Sequence, residues 1–193
     1  MAKKESTFGS MVITLFVVTA VAALALAYVH KITEEPIRKA QEAKLKKALT
    51  QVLPQFDSIA ITKVKPVDGP DSLTFYRATK GGENIGTAVK TYTNKGFSGH
   101  FEILVGFQPD GTIINTAVLK HTETPGLGDK MDAKKSNFPL QFMGKNPADF
   151  KLAVTKDGGD VDAITAATIS SRAFCDAVDR AYKTFMKEGG NHE

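Results

Sequence analysis

The amino-acid sequence predicts an α+β protein: one N-terminal transmembrane helix and a stalk helix, followed by a soluble domain with an antiparallel sheet and a C-terminal helix. Three observations carry this. Met11–Val29, MVITLFVVTAVAALALAYV, runs for 19 residues without a charge. Between Leu73 and Lys120, short β-prone segments alternate with turn sequences. From Thr168 onward, apolar residues return at helical spacing.

The uncharged run is about long enough to cross a hydrocarbon core of about 30 Å as a helix. It divides the chain into a short N-terminus (1–10), a membrane helix (11–29), a juxtamembrane stalk (30–53) and a soluble domain (54–193). A cleaved signal peptide is the competing reading, because Lys3 and Lys4 form a basic start and Ala23-Leu24-Ala25 resembles a cleavage site. The apolar run is longer than an ordinary signal core, which favours the span. In the stalk, Pro36 suits a first helical turn, and Ile37, Ala40, Leu45, Ala48, Leu49 and Val52 mark an apolar stripe among lysines. Lys31, Arg38, Lys39, Lys44, Lys46 and Lys47 follow the span, so a count of positive charges alone would keep the C-terminal side in the cytoplasm. A large following domain translocates regardless of such a count, and the orientation stays open on charge.

After VLPQFD the pattern becomes a meander. Leu73–Thr79 and Ile85–Thr93 flank Lys80-Gly81-Gly82-Glu83-Asn84, and the segment 94–99 forms a loop. His100–Phe107 then turns through Pro109-Asp110-Gly111 into Thr112–Lys120. Lys151–Thr155 is a further extended segment before the turn at Asp157-Gly158-Gly159. In the last helix Phe174, Val178, Ala181 and Phe185 form the apolar face.

Composition excludes several functions. The chain has 193 residues, 42% hydrophobic and 24% charged, which suits one folded domain of ordinary size beside the span. A net charge of +4, with lysines spread along the chain, lacks the basic aromatic face of a nucleic-acid binder. The single Cys175 permits no internal disulfide and no cysteine-held iron–sulfur cluster, and His30, His100, His121 and His192 show no metal-ligand spacing. Any redox chemistry would need an organic cofactor.

Two stretches stand out. In KHTETPGLGDKM, Lys120–Met131, Thr124 precedes a proline and is pushed to extended backbone, while Gly126 and Gly128 permit positive φ or the close approach of a flat group. This is either a well-made loop or a binding loop. In DAITAATISS, Asp162–Ser171, hydroxyl side chains crowd the start of a helix, where unpaired N–H groups and a partial positive charge suit a phosphate. Thr165 also reads as a helix cap, and Ser170 and Ser171 as solvated first-turn residues.

Together, ETPGLGDKM and the later DAITAATISS resemble the FMN-binding domain found in the G subunit of the Rnf electron-transport complex and in the C subunit of the sodium-pumping NADH:quinone oxidoreductase. The resemblance covers nearly the whole chain, and its shorter form favours the former. In that family the last residue of a pattern like Asp-x-x-Thr-Gly-Ala-Thr is esterified to the phosphate of FMN by a separate flavin transferase. Asp162, Thr165, Ala167 and Thr168 match, which implies Thr168 as the attachment residue. Ala166 replaces the usual glycine, which implies either a helical backbone there or a weakened motif; the start of the helix favours the first. The resemblance further implies that Glu123, Thr124, Gly126, Leu127 and Gly128 hold the flavin, that Lys156 pairs with phosphate or a flavin oxygen, and that Asp162 lies where the transferase reads the motif. It implies a single-pass protein of the bacterial cytoplasmic membrane, with its soluble domain on the periplasmic or outer face and the other subunits of an ion-translocating complex as partners.

Two other classes compete. A hydrolase using Ser170 or Thr168 would need a base, and His121 beside Glu123 is the only histidine candidate, without a Gly-x-Ser-x-Gly elbow. A bitopic structural or assembly protein would bind no cofactor.

Overall fold

A computed structural model of the chain describes residues 7–189; Lys3, Lys4 and His192 lie outside the described residues. The first element, α1, is a single helix over Phe8–Val52. It is near the N-terminus and is the one helix among the described residues long and apolar enough to cross a membrane. Span and stalk are therefore one element. Pro36 lies inside it rather than in a first turn, which corrects the expectation above. A proline removes a single N–H donor, and long helical segments on both sides carry the axis past it. The stalk stripe is also shorter than expected: Ile37 and Ala40 are exposed, and packing begins at Leu45.

The chain separates into two compact units, one ending at Ala43 and one beginning at Lys44. The second contains a five-stranded antiparallel meander in the order β1-β2-β3-β4-β5. Its strands are β1 (Ser58–Val64), β2 (Leu73–Lys80), β3 (Glu83–Gly96), β4 (Gly99–Phe107) and β5 (Ile113–Lys120). The β2–β3 hairpin turns at Gly81 and Gly82, both at positive φ, as a tight two-residue turn requires. At the next hairpin the expected 94–99 loop shrinks to Phe97-Ser98, because Gly96 pairs with Gly99 and extends the ladder.

Alternation of side chains gives the sheet two covered faces. The last turns of α1, with Ala48, Leu49 and Val52, pack with Tyr76, Ala78, Ala88 and Leu104. The C-terminal helix α2, Thr168–Gly189, packs with Phe75, Val89, Ile103, Val105 and Phe107 through Phe174, Ala177, Val178 and Ala181. The expected extended segment Lys151–Thr155 forms no strand. Val154 makes an isolated bridge to Val161, and the chain passes into a short 3-10 turn at Thr155–Asp157. The backbone bonds it does make close within this loop, among them Thr155 N–H to Val161 C=O (2.9 Å) and Val161 N–H to Ala153 C=O (3.0 Å), and it joins no sheet.

Candidate functional site

The helix start is built around Ser171. Its buried hydroxyl accepts from the Ile164 N–H (2.9 Å) and donates to the Ala167 C=O (3.0 Å), so it ties the preceding turn to the helix. The turn closes through Ala167 N–H to Ile164 C=O (2.9 Å), and its third residue, Ala166, has φ +62°. Ala166 is therefore left-handed, not helical as expected. The reversal at 164–167 needs positive φ at this position, the kind of turn in which glycine is usual. Alanine there costs about 1–2 kcal/mol, carried by the bonds around Ser171.

Beyond the turn, the first helical hydrogen bond runs from Ser171 N–H to Ala167 C=O (3.0 Å). The N–H groups of Thr168, Ile169 and Ser170 find no acceptor among the described residues. They are free donors at the positive end of a helix, which suits an anion. Thr168, half-buried, begins this set. Ser170 and Ser171 are both buried, which corrects the reading of solvated first-turn residues. One holds the turn and the other reaches the neighbouring loop.

That loop is organised by Glu123, whose carboxylate is buried. It accepts from the Ser98 N–H at 3.1 Å and from the Ser170 hydroxyl at 2.7 Å. Two glycines make room for it. A Cβ on Gly96 would stand 2.5 Å from Glu123 Oε1, and one on Gly128 would overlap Glu123 Oε2 and stand 2.6 Å from Ser170 Oγ. Gly126 takes the positive φ of the turn, +78°, and Leu127 N–H closes it on Thr124 C=O (3.2 Å). The two glycines of the loop thus do different things: one turns the chain, the other allows close approach.

Between loop and helix lies a cavity of about 300 Å³, at the lower end of the size range for small-molecule sites. Glu123, Thr124, Leu127 and Gly128 line one side and the stretch 166–170 lines the other. Its rim is apolar: Leu127 and Ile169 are exposed there, as is Phe97 from the β3–β4 turn. Phe97 was missed in the sequence, where its signal was an aromatic residue in the short Gly-Phe-Ser-Gly turn. The other expected site residues lie outside the cavity lining. Gly126 sits in the turn behind it, and Thr165 is exposed on the turn before α2. Asp162 holds the Gln141 side chain through its backbone N–H (2.8 Å) and C=O (3.1 Å). Lys156 is exposed on the 3-10 turn, whose Asp157 receives two hydrogen bonds from Arg172, at 2.7 and 2.8 Å. Those bonds hold the Asp157 carboxyl below its ordinary range.

These groups can bind but are poorly placed to react. Ser170 donates directly to Glu123, with no imidazole between them to act as base. Burial pushes the Cys175 thiol up to about 12, so it carries almost no thiolate near neutrality. An anion at the free N–H groups, with a flat apolar body toward the rim, fits the arrangement better than a hydrolytic substrate.

Comparison with known proteins agrees. The FMN-binding domain family matches residues 96–183, and the RnfG N-terminal region matches residues 10–52. The chain is 36% identical to the G subunit of the ion-translocating oxidoreductase complex of Vibrio atlanticus over 166 residues, covering 81% of this chain and 79% of the relative. It is 35% identical to the corresponding protein of Aliivibrio fischeri over 194 residues (93% and 91%), and 34% identical to that of Shewanella loihica over 196 residues (95% and 91%).

Proposed function

The chain belongs to the family of G subunits of ion-translocating oxidoreductase complexes, and from that membership we propose that it is a membrane-anchored electron carrier with FMN held by a phosphoester to Thr168. The observation that carries the attachment is local. Thr168 stands at the cavity as the first of three residues whose N–H groups have no acceptor among the described residues. FMN would supply reversible electron transfer.

The chain's own residues hold and orient it. The N–H groups of Thr168, Ile169 and Ser170 and the dipole of α2 stabilise the phosphate. The left-handed turn at Ala166 sets how the chain enters α2 at Thr168. The Glu123–Ser170 hydrogen bond clamps the 123–128 loop onto the helix start, which sets the width of the cavity. Phe97, Leu127 and Ile169 would offer the flat ring an apolar rim to pack on. A threonine hydroxyl is a weak nucleophile unless a base or metal activates it, and no side chain hydrogen-bonds the Thr168 hydroxyl among the described residues. This supports a separate flavin transferase as the catalyst of attachment. The match of residues 10–52 to the RnfG N-terminal region supports an Rnf-type complex over the sodium-pumping quinone reductase, with the remaining subunits supplying the donor and acceptor sites.

Thr168→Ala is expected to abolish covalent flavin and leave the fold intact, because a missing hydroxyl at a helix start costs at most about 1–2 kcal/mol. Thr168→Ser retains the flavin, and Thr165→Ala does too. Intact mass and in-gel flavin fluorescence, in cells that supply the transferase, give the readout. Mass addition persisting on Thr168→Ala moves the ester to another hydroxyl, and none on the unmodified chain removes the reading. We place the soluble domain outside the cytoplasmic membrane, where a transferase of this kind would meet it. A cysteine replacing the exposed Asn84 then reacts with an impermeant reagent in cells without an outer-membrane barrier; labelling only after lysis reverses the orientation.

A further inference from the structure

A second cavity, also about 300 Å³, lies away from Thr168, between the end of α1, the outer edge of β5 and the segment after Met131. Its floor is four consecutive residues of an edge strand, Asn115, Thr116, Ala117 and Val118. The start of that edge is already paired: Ile113 N–H bonds to Lys145 C=O (2.9 Å) and Gly144 N–H to Ile113 C=O (2.8 Å). Beyond Ile113 the cover ends: among the described residues no backbone group outside the strands bonds to the backbone of residues 115–118, and the one hydrogen bond with α1 is to the Gln51 C=O, which accepts from the Asn115 side-chain amide at 3.2 Å. Side chains act as stand-ins there. Asn115 Oδ1 accepts the Thr116 N–H at 2.8 Å, and Lys44 Nζ donates to the Leu119 C=O at 2.6 Å. The buried Thr116 Oγ1 has no partner among the described residues.

The charge around this edge is one-sided. Lys44, Lys47 and Lys134 line the cavity against a single carboxylate, Asp132. None of the three lysines makes an ion pair among the described residues, and Asp132 already accepts from the Lys134 N–H (3.0 Å). An unpaired strand edge recognises another backbone in extended form, and unpaired lysines beside it select negative side chains. We propose that the β5 edge at residues 115–118 is a docking site for an extended acidic segment of another subunit, added as a sixth strand between the end of α1 and the 131–134 segment. The inference rests on the chain working within a multi-subunit complex. It assigns which surface of the domain a neighbour holds, on ground that does not involve the flavin.

The test uses the complex purified from its own membrane, with Ala133 replaced by a photoreactive benzoylphenylalanine. Irradiation is expected to give an adduct whose mass-mapped partner peptide is an extended segment of another subunit carrying at least two Asp or Glu residues. Lys47→Glu combined with Lys134→Glu should lower adduct yield about tenfold, and converting the mapped acidic residues to lysine should restore it. In the Ala133-substituted complex with its lysines intact, raising the salt concentration should lower the yield in the same direction, a check that needs no charge-reversed variant to fold. Lysines that only defend the edge against aggregation would give no adduct and tolerate the reversal, which overturns the proposal. An adduct confined to lipid or to a helix overturns it equally. Flavin per chain is measured in the same samples: flavin present with docking absent refutes this inference alone, and flavin absent from the unmodified chain refutes the reading of Thr168.

Discussion

At the end of α1 a helix meets the sheet over Gly106, and at the start of α2 a helix meets a loop over Gly128. A Cβ at Gly106 would overlap the Val52 C=O and stand 3.0 Å from Val52 Cβ. Around it the contact is apolar, made by Ala48, Leu49 and Val52 against Tyr76, Ala88 and Leu104. At Gly128 the missing Cβ makes room for a carboxylate and a hydroxyl, those of Glu123 and Ser170. Both glycines permit close approach, yet only the contact at Gly128 is made between buried polar side chains. Buried polar side chains collect on the α2 side: Glu123, Ser170 and Ser171 at the cavity, and Thr91, whose hydroxyl bonds to the Ala177 C=O at 3.0 Å, further along. Burying such groups is unfavourable unless each is paired; here Glu123 and Ser170 pair with each other across the cavity, while Ser171 and Thr91 bond to backbone groups.

The comparison is broken most forcefully at Gly106. Gly106→Val drives a branched side chain into the backbone of Val52, which cannot yield as a flexible side-chain tip would. We expect destabilisation of about 3 kcal/mol or more, with the last turns of α1 lifted from the sheet. Thermal unfolding of the full chain in detergent gives the measure. Protein that remains folded should still accept covalent flavin at the unmodified level, because no group at the cavity touches Gly106. Loss of flavin from folded protein would show that the two contacts are coupled and that the α1 contact is more than an anchor.

The α1 contact was partly legible in the sequence, and the α2 contact only in outline. Strands β2 to β5 announced themselves by β-prone segments between turn sequences, and α2 by its apolar spacing. β1 did not, because it is an edge strand with most side chains exposed and so carries little alternation. Lys151–Thr155 misled for the opposite reason: an apolar stretch beside a glycine turn imitates a strand when its backbone partners are hidden within a loop. The two stretches singled out by residue type meet at one cavity, but the contacts of their residues depend on distant parts of the chain. That Glu123 is buried is not visible in its own stretch: Gly96, at the β3–β4 turn, and Gly128, later in the same loop, make room for its carboxylate. Ser170 reads as a solvated hydroxyl until that carboxylate is in place. Ala166 is the reverse case. Departure from a glycine pattern suggested a helical backbone, whereas the turn kept its left-handed geometry and accepted the strain.

Two changes at the polar contact sharpen the comparison, and the larger is Gly128→Val. Its side chain would displace Glu123 and Ser170 and push the loop from the helix start, while the Thr168 hydroxyl remains. The expected outcome is a chain that still carries flavin by mass but has an altered visible absorption spectrum and reduction potential. An unchanged spectrum and potential would reduce the 123–128 loop to a plain turn.

The smaller change removes charge without volume. Glu123→Gln keeps an oxygen to accept the Ser98 N–H, and Ser170 can turn its hydroxyl to accept from the new amide, so loop and helix stay together. A carboxylate enclosed beside the cavity opposes the arrival of an electron on any group bound there, and this opposition is stronger than in water because the surroundings are less polarisable. Its removal should raise the flavin's reduction potential by roughly tens of millivolts, with covalent attachment and thermal midpoint nearly unchanged. Spectroelectrochemical titration of the flavinylated chain reads the shift directly. A potential that does not move, on a chain that keeps its flavin, would mean that Glu123 only braces the loop; the polar contact would then differ from the apolar one at Gly106 in composition but not in function.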